Sequence, residues 1–532
     1  HGAPILANAH PHFNRTRSVF AVHNGIIENF ASLRAKLQEH GYEFISQTDT
    51  EVIPHLIDYY VNQVGDFAEA FERTLEDLDG AYAIAAISTD NPDTIYAARL
   101  SSPLILGVGD REFILASDPT AVMEHTKNVV YLDDHEMVIV NAGGYQIKNI
   151  KHDRKVKRQA ELLDFDLEQA KLGDYPNFML KEIHEAPQTI RLASLGRVSP
   201  KNSAVKLGGL ESVREQLKFI ERIIIVACGT SYYAGLVGEY LIEELAGIPV
   251  EVQLASEFKY RNEPLSRSTA ILAISQSGET ADTIAALKKV EDYGILRLGV
   301  VNAVGSTIAR ITDAGVYCHA GPEQAVASTK AFIAQVTVLA QIALHLSRGT
   351  TKLYQPLIKE LDELPSKTEE VLAQTDAIKK IAEKYSGYKD FLYIGRRYSY
   401  PCALEGALKL KEISYIHAEG YAAGEMKHGP LAMIDKDFGT FAIAANGDML
   451  DKTYSNIEEI RARGGPVVAV ATRGNRRIKK LADDVIYIPD AMEQVQPILI
   501  AIVAQLFSYY VAGHLGKNVD RPRNLAKSVT VE

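Results

Sequence analysis

The sequence predicts an α/β protein, with an antiparallel α+β domain at the amino terminus followed by two doubly wound parallel-sheet domains. Three observations lead to this prediction. The chain of 532 residues is too long for one hydrophobic core. Short strands separated by turn residues fill the part up to about Lys157. From about residue 205 onward, fully apolar runs alternate with helical segments, which indicates parallel sheets covered on both faces.

The amino-terminal part combines short strands with two helical patterns. Helical periodicity is present at Ile27–His40 and at Thr50–Val64. The predicted strands are Ser18–His23, Ala81–Ile87, Thr94–Arg99, Glu112–Ala116 and Met137–Val140. Because turn residues separate these strands, we expect an antiparallel sheet.

The apolar runs of the later part form two matching sets. The first set is Arg222–Ala227, Thr269–Ile274, Arg297–Val301 and Gly315–His319. The second set is Phe391–Ile394, Thr440–Ala444, Val467–Ala471 and Asp484–Ile488. Four matched strands at a nearly constant offset of about 170 residues predict a duplicated domain.

Composition and charge argue against several classes of function. The formal net charge is -11 and no Lys/Arg-rich run is present, so we expect no nucleic-acid partner. Cys228, Cys318 and Cys402 are far apart and lack metal-ligand spacing, which indicates a reducing, cytoplasmic compartment without disulfides or metal. No organic cofactor is expected either. Polar residues interrupt the apolar stretches Ala331–Leu346 and Pro497–Gly516, which we interpret as buried helices and not as membrane spans.

Two hydroxyl-rich turns directly follow predicted strands, at Cys228–Ser231 and Ser275–Thr280. Hydroxyls and free N–H groups at a helix start form an anion site, although each turn alone is compatible with an ordinary helix cap. Since parallel strands end at one edge of a sheet, both turns should face one crevice. Walker A and Gly-x-Gly-x-x-Gly spacings are absent, which favours a phosphorylated sugar over a nucleotide.

A third hydroxyl pair, in Val326–Lys330, precedes the predicted helix Ala331–Leu346. By itself this pair is more typical of a cap. Together with the two hydroxyl-rich turns, this pair is compatible with a third hydroxyl donor to the same ligand.

A charged motif is present at Glu405, Lys409 and Glu412, which share one face if the segment is helical. This spacing usually belongs to a solvated stripe of ion pairs. Here the neighbouring residues are small and apolar, as on a buried helix. Buried charges need partners or a function, so the three residues are candidates for acid/base chemistry.

Two further candidates lie nearer the carboxyl end. His428 lies in Gly424–Pro430, where a general acid/base is well placed, although a lone histidine is more often structural. Lys527 lies in the tail Arg521–Glu532. Chain ends usually fray, but the apolar residues of this tail indicate docking, which would bring Lys527 into an active site.

Two candidates lie in the amino-terminal part. Asn24-Gly25 follows a predicted strand and is typical of a hairpin turn. Asp49 precedes a helical pattern and is compatible with an amino-terminal helix cap.

Together these motifs resemble the glutamine–fructose-6-phosphate transaminases over essentially the whole chain. His1–Pro4, Asn8–His12 and His23–Gly25 are similar to the family's glutaminase domain of the N-terminal-nucleophile type. The paired sugar-isomerase domains of the family are matched by Cys228–Ser231, Ser275–Thr280, Val326–Lys330, Glu405–His417, Gly424–Pro430 and Arg523–Glu532.

The resemblance implies a glutamine site. Asn24 and Gly25 match the pair that forms the oxyanion hole for amide hydrolysis. Asp49 matches the carboxylate that holds the glutamine α-amino group, and His1 matches a residue that lines the glutamine pocket.

The resemblance also implies a sugar site. Lys527 matches the lysine that forms a Schiff base with the open-chain ketose, and Glu412 matches the base that moves a proton between C2 and C1. His428 matches the ring-opening acid/base, supplied in relatives by a neighbouring subunit, so a homodimer is expected. Glu405 and Lys409 match further members of this cluster. The sugar-phosphate contacts are implied at Thr230, Ser231, Ser275, Gln276, Ser277, Thr280, Val326 and Ser328.

The implied domain order runs from amide hydrolysis to sugar chemistry. We expect a truncated glutamine amidotransferase domain at residues 1–165 and a linker with a helical connection at 166–204. Sugar-isomerase domains are expected at 205–350 and 351–520, and an active-site tail at 521–532. The implied reaction converts glutamine and fructose 6-phosphate to glutamate and glucosamine 6-phosphate.

The sequence departs from the family at one point. The family splits glutamine with an amino-terminal cysteine, but no cysteine precedes Cys228, and the chain contains no tryptophan. We therefore expect the chain as given to lack the nucleophile segment and not to hydrolyse glutamine. Three alternatives remain: a hexose-6-phosphate isomerase only, a non-catalytic sugar-phosphate-binding regulator, and a deglycase for sugar-amine phosphates. The glutaminase-like region argues against the deglycase.

Overall fold

The fold was derived from a computed structural model, which describes residues 2–3, 5–118, 121–123, 125–162, 171–201 and 204–530. His1 and the last two residues of the tail lie outside the described residues. The predicted α/β class is confirmed, with antiparallel sheets in the first part and two parallel sheets in the second.

The amino-terminal region contains two antiparallel sheets and three helices. Its helices are α1 (Phe30–Glu39), α2 (Val52–Val64) and α3 (Phe67–Asp77). Its strands are β1 (His12–Phe13), β2 (Val19–Ile27), β3 (Gly80–Ser88), β4 (Asn91–Leu100), β5 (Ile105–Val108), β6 (Phe113–Ala116), β7 (Asn128–Tyr131), β8 (Glu136–Asn141), β9 (Gly144–Asn149), β10 (Arg154–Val156) and β11 (Glu161–Leu162). One sheet has the order β1-β2-β3-β4-β8-β9-β10 and the other β11-β7-β5-β6.

The predicted hairpin turn at Asn24-Gly25 is wrong, because β2 continues through both residues to Ile27. Gly25 has a φ of +152°, and a Cβ there would lie 2.0 Å from the carbonyl oxygen of Ala81 on β3. Glycine is therefore required by the close approach of the neighbouring strand. The predicted helix at Ile27 consequently begins later, at Phe30.

Two parallel five-stranded sheets follow. Their strands are β14 (Arg222–Ala227), β15 (Val250–Leu254), β16 (Thr269–Ser275), β17 (Leu296–Val301), β18 (Ala314–Tyr317), β19 (Asp390–Gly395), β20 (His417–Ala422), β21 (Phe438–Ala444), β22 (Val467–Thr472) and β23 (Asp484–Ile488); a small ribbon of β12 (Val198–Ser199) and β13 (Ala204–Val205) precedes them. The orders β15-β14-β16-β17-β18 and β20-β19-β21-β22-β23 are the same, as a duplicated domain predicts. The sequence pattern missed β15 and β20, because these edge strands carry polar residues.

Helices cover both faces of the two sheets. They are α4 (Phe178–His184), α5 (Ala186–Ser194), α6 (Gly229–Ala246), α7 (Ala255–Phe258), α8 (Ala281–Lys289), α9 (Thr307–Ile311), α10 (Lys330–Leu346), α11 (Tyr354–Leu372), α12 (Thr375–Tyr385), α13 (Ser399–Ser414), α14 (Leu450–Arg461) and α15 (Gln496–His514). Short 3₁₀ segments lie at Leu6–Asn8, Gly208–Val213, Gln216–Phe219, Glu291–Tyr293, Ala423–His428, Pro430–Met433 and Ile478–Lys480.

The two long apolar stretches form the core helices α10 and α15. Helix α15 is long and apolar enough to cross a membrane, but 83% of its apolar window is buried inside the fold. Helix α10 is buried along nearly its whole length. Both helices belong to one hydrophobic core shared by the two parallel domains, and this explains their composition without a membrane.

Candidate active site

Helix α13 carries a buried charged cluster. The Lys409 ammonium lies 2.7 Å from Glu412 Oε2 and 3.5 Å from Glu405 Oε1. Lys409 also donates a hydrogen bond of 2.9 Å to Thr230 Oγ1 at the start of α6. The Lys409 side chain is fully buried, so the motif is not a solvated stripe of ion pairs.

The buried surroundings of the cluster shift the pKa values of Glu405 and Lys409. Burial raises the pKa of Glu405 to about 8, against the opposing effect of Lys409, and Glu412 raises it further. Burial also acts to lower the pKa of Lys409, but the carboxylates of Glu405 and Glu412 outweigh it and raise that pKa. At neutral pH, Glu405 therefore holds a proton while Lys409 remains a cation. The cluster can both donate and accept protons.

The turn Ser275–Thr280 lies at the carboxyl end of β16, beside Thr230 at the end of β14. Ser275 Oγ accepts a hydrogen bond of 3.0 Å from Gly278 N and lies 3.0 Å from Thr280 Oγ1. Gly278 has a φ of +65°, and a Cβ there would lie 2.0 Å from Ser306 Oγ, so the tight turn needs glycine. The two hydroxyl-rich turns thus meet at one edge, as the sequence predicts.

The carboxyl-terminal tail is docked at the same edge. The Val529 carbonyl accepts a hydrogen bond of 3.1 Å from Ala281 N, at the start of α8. The Lys527 amine donates to Glu323 Oε2 at 2.6 Å and to the Ala325 carbonyl at 2.7 Å. Docking therefore places a primary amine beside the hydroxyl-rich turns.

Glu323, the partner of Lys527, is a functional candidate that the sequence analysis missed. Its other oxygen accepts from Thr329 N at 2.8 Å and Ala331 N at 3.0 Å, and so caps α10. Burial acts to raise the pKa of Glu323, but Lys527 outweighs it and lowers that pKa. No local sequence signal distinguishes Glu323, because the Ser328-Thr329 pair already offers a cap for the same helix.

A cavity of about 240 Å³ lies between the amino-terminal region and the first parallel domain. Asn24 lines it from one side, and Gln276, Ser277 and Lys527 line it from the other. Its remaining lining residues are Pro103, Ser117, Asp118, Glu279, Asn302, Ala303, Pro322, Glu323, Ser528 and Thr530. Asn24 and Lys527 therefore face one common cavity.

Direct contacts hold the two regions together beside this cavity. Tyr131 donates a hydrogen bond of 2.9 Å to the Val304 carbonyl. The ammonium of Lys288 lies 2.8 Å from Asp134 Oδ2. The cavity is thus framed by a polar interface.

Asp49 fastens β2 and does not cap a helix with its side chain, so that prediction is wrong. Its Oδ2 accepts a hydrogen bond of 2.8 Å from Ile27 N, and the residue before α2 is Glu51. The neighbouring His23 Nδ1 lies 3.1 Å from Thr50 Oγ1. Burial lowers the pKa of His23 to about 4, so its ring is neutral at physiological pH.

The remaining predicted residues divide into two groups. Ser231 Oγ accepts a hydrogen bond of 2.9 Å from Gln335, and Val326 N donates to the Asp520 carbonyl at 2.9 Å, beside half-buried Ser328. His428 is exposed at the end of a 3₁₀ segment, and no contact within the described ranges joins it to the α13 cluster. Within one chain, the contacts among Lys409, Glu412 and Thr230 therefore form without His428.

The described part of the chain holds no group of three or more His, Cys, Asp or Glu side chains arranged to bind a metal ion. The polar groups at the candidate site are hydroxyls, amides, carboxylates and two lysines. These groups suit an anionic, hydroxylated ligand and proton transfer.

Known protein families match both parts of the chain. Residues 217–345 and 385–515 match the SIS domain, and residues 5–124 match a glutamine amidotransferase domain. Among solved structures, the C-terminal domain of glucosamine-fructose-6-phosphate aminotransferase from Francisella tularensis is 36% identical with a TM-score of 0.62, and the match covers 66% of this chain and all of that one. Glucosamine-6-phosphate deaminase from Thermotoga maritima shares the fold, at 22% identity and a TM-score of 0.52, over 67% of this chain and all of that one.

Curated relatives match over the full length of this chain. A glutamine–fructose-6-phosphate aminotransferase (isomerizing) from Chlorobaculum tepidum is 51% identical over 537 residues, covering all of this chain and 87% of that protein. A relative of the same name from Bacteroides thetaiotaomicron is 46% identical, covering all of this chain and 88% of that protein. With this identity over the whole chain, and with both domain types present in the same order, the chain belongs to the glutamine–fructose-6-phosphate aminotransferase (isomerizing) family.

Proposed function

We propose that this protein transfers the amide nitrogen of glutamine to fructose 6-phosphate and isomerises the ketose to an aldose, giving glucosamine 6-phosphate and glutamate. The observation that carries the proposal is the cavity that Asn24 and Lys527 both line. In this cavity Asn24, a residue of the predicted glutamine site, faces the same space as the Lys527 amine beside the hydroxyl-rich turns. Nitrogen can therefore pass between the two half-reactions within one chain.

The sugar binds at the edge formed by β14 and β16. Hydroxyls and N–H groups at the starts of α6 and α8 receive the phosphate, because helix starts present unpaired donors. The residues in contact with the sugar phosphate are Thr230, Ser231, Ser275, Gln276, Ser277 and Thr280, with Val326 and Ser328 beside the sugar.

Lys527 and Glu412 carry the sugar chemistry. The Lys527 amine attacks C2 of the open-chain ketose, a proton shifts to the departing oxygen, and water leaves to form an imine. The protonated imine withdraws electrons from the adjacent C–H bond. Glu412 moves the proton between C1 and C2. Lys409 and protonated Glu405 stabilise the carboxylate of Glu412 as it gains and loses this proton.

Hydrolysis of the glutamine amide uses residues of the amino-terminal region. The Asn24 side chain and the Gly25 N–H stabilise the oxyanion that develops during amide hydrolysis. Asp49 holds the glutamine α-amino group, and we assign His1, which lies outside the described residues, to glutamine binding as well.

The released ammonia enters the cavity and attacks C2 of the Lys527 imine, and the lysine amine leaves. The new C2 imine loses its C1 proton to Glu412 and regains a proton at C2, which gives glucosamine 6-phosphate.

A second subunit completes the site. His428 is exposed and distant from the α13 cluster of its own chain, so we assign it to ring opening in the site of a partner chain. The protein is accordingly a cytoplasmic homodimer with fructose 6-phosphate and glutamine as its substrates. It uses no cofactor.

Isomerisation of hexose 6-phosphates without nitrogen transfer is the second candidate. It is favoured by one observation: the contacts of Lys409 with Glu412 and Thr230, and the contact of Lys527 with Glu323, involve no residue of the amino-terminal region. The regulator alternative gives no reason for a buried Lys409 beside two carboxylates.

An assay of both products tests the proposal. The full protein is incubated with fructose 6-phosphate, with and without glutamine, and glucosamine 6-phosphate, glutamate and glucose 6-phosphate are quantified. Because no cysteine precedes Cys228, we expect the 532-residue chain to form no glutamate and no glucosamine 6-phosphate from glutamine. With an amino-terminal cysteine segment supplied, we expect both products in equal amounts, and complete loss of sugar products in Lys527→Ala. Lys436→Ala, on an exposed surface lysine, is the control. With that segment supplied, glucose 6-phosphate alone would favour the isomerase, and tight sugar binding without turnover would favour the regulator.

A further inference from the structure

The loop of residues 322–329, between β18 and α10, holds the Lys527 amine. Two groups of this loop accept hydrogen bonds from that amine, the Glu323 carboxylate and the Ala325 carbonyl. The position of the amine therefore depends on how firmly the loop itself is held. We call this segment the lysine-binding loop.

Glu182 on α4 holds the lysine-binding loop from the helical connection. Its Oε1 accepts hydrogen bonds from Gln324 N at 2.5 Å and from Ala325 N at 3.1 Å. Glu182 is only 1% exposed, and its Oε2 is buried without a hydrogen-bond partner among the described residues. A carboxyl group this deeply buried is costly, so a purely structural explanation accounts poorly for it.

Two further sets of contacts link the same connection to the loop and to the start of α10. Glu185 Oε2 lies 2.6 Å from the buried Lys330 ammonium at the start of α10. Asp520 accepts hydrogen bonds from Phe178 N and Met179 N at the start of α4, and its carbonyl accepts from Val326 N. The connection, the loop and the tail are thus joined in one network.

We propose that Glu182 is a positioning residue for imine formation, acting through the lysine-binding loop that holds the Lys527 amine. The inference rests on the proposed role of Lys527. It adds a residue of the helical connection, outside the regions that match known domains, to the requirements of the sugar chemistry.

The charges around Glu182 give the proposal a pH signature. The charged groups that face it are Glu323 and Lys330 from the loop and α10, Lys527 and Asp520 from the tail, and Glu185 from its own connection. Burial raises the pKa of Glu182 to about 8, and the Glu323 carboxylate raises it further, against the opposing effects of Lys527 and Lys330. Below that pH, Glu182 is neutral beside the Glu323 carboxylate; above it, the two like charges repel each other and loosen the lysine-binding loop.

Reductive trapping of the imine tests this role. The full protein is incubated with fructose 6-phosphate and cyanoborohydride between pH 6.5 and pH 9, and the rate of Lys527 modification is measured by peptide mass spectrometry. Fructose 6-phosphate affinity is measured separately by calorimetry. The variants are Glu182→Gln and Glu182→Ala, and Arg191→Ala, which breaks an exposed ion pair on α5, is the matched control.

We expect Glu182→Ala to slow trapping by about 10²-fold with little change in sugar affinity, because a misplaced reacting group loses its orientation. Glu182→Gln keeps an acceptor for the loop without the charge. It should trap at a near-normal rate at pH 7 and retain that rate above pH 8, where the unaltered protein slows. Arg191→Ala should behave as the unaltered protein.

Normal trapping by Glu182→Ala would overturn the inference while leaving the role of Lys527 intact. If that variant fails to fold, Glu182→Gln decides, since a pH profile identical to that of the unaltered protein also overturns it. Absence of trapping at Lys527 in the unaltered protein would refute the proposed function itself, and the inference with it.

Discussion

The two parallel domains share one strand order but differ at the edge where ligands bind. In the first domain, the turns after β14 and β16 carry Thr230 and Ser275, whose hydroxyls lie at the candidate site. In the second domain, Arg397 follows β19 and pairs with Asp448, which follows β21, and with Glu493, each at 3.1 Å. These three charged side chains of the second domain are thus paired with one another. One fold therefore serves as a binding domain in one copy and as a supporting domain in the other.

The second domain still contributes to the site through its first helix. Helices α6 and α13, which occupy equivalent places in the two domains, pack antiparallel. At one end Lys409 of α13 reaches Thr230 of α6, and at the other Tyr398 of α13 donates to Glu244 of α6 at 2.7 Å. The duplication thus brings the buried Lys409 of one copy to the hydroxyl-rich turn of the other.

The largest effect should come from removing the buried cation of this helix pair. Lys409→Ala leaves Glu405 and Glu412 without their partner, so we expect the free energy of unfolding to fall by about 3 kcal/mol or more. Tyr398→Phe, at the opposite end of the same helix pair, should cost about 1 kcal/mol. Urea denaturation measures both. Equal losses would contradict the distinction between the two ends.

An intermediate effect, on fructose 6-phosphate affinity, should distinguish the turns of the first domain from those of the second. Ser277→Ala removes a hydroxyl that lines the cavity, so fructose 6-phosphate affinity should fall by about tenfold, as expected for a hydrogen bond to a charged group. Asn446→Ala, in the turn after β21 of the second domain, should leave that affinity unchanged. Isothermal calorimetry measures both values. Equal weakening by both variants would mean that the second domain also binds the sugar.

The smallest effect concerns the pH dependence of stability. The folded-state pKa of Glu405 is about 8, above its ordinary value of 4.5, so the folded protein keeps a proton that the unfolded chain loses. Its contribution to stability therefore falls as pH rises from about 4.5 to about 8. Relative to the unaltered protein, Glu405→Gln should gain about 1 kcal/mol between pH 7 and pH 8. Parallel stability curves in urea titrations would show that Glu405 is already ionised.

The local sequence pattern was sufficient to predict strands that are buried on both faces. Arg222–Ala227 was predicted with its observed bounds, because inner strands of parallel sheets are apolar throughout. The pattern was insufficient at the edge strands β15 and β20, whose partly exposed residues weaken the signal. It also failed at Asn24-Gly25, where a typical turn dipeptide lies inside β2 because a neighbouring strand requires glycine.

The sequence by itself determined the fold class, the duplication, the hydroxyl-rich turns and the family, since these depend on short motifs and on periodicity. Only the tertiary structure decided which side chains meet. Glu323 and Lys527 are 204 residues apart, and Glu182 reaches Gln324 across 142 residues. No local pattern records such contacts. They arise because parallel strands end at one edge and because a docked tail and a helical connection converge there.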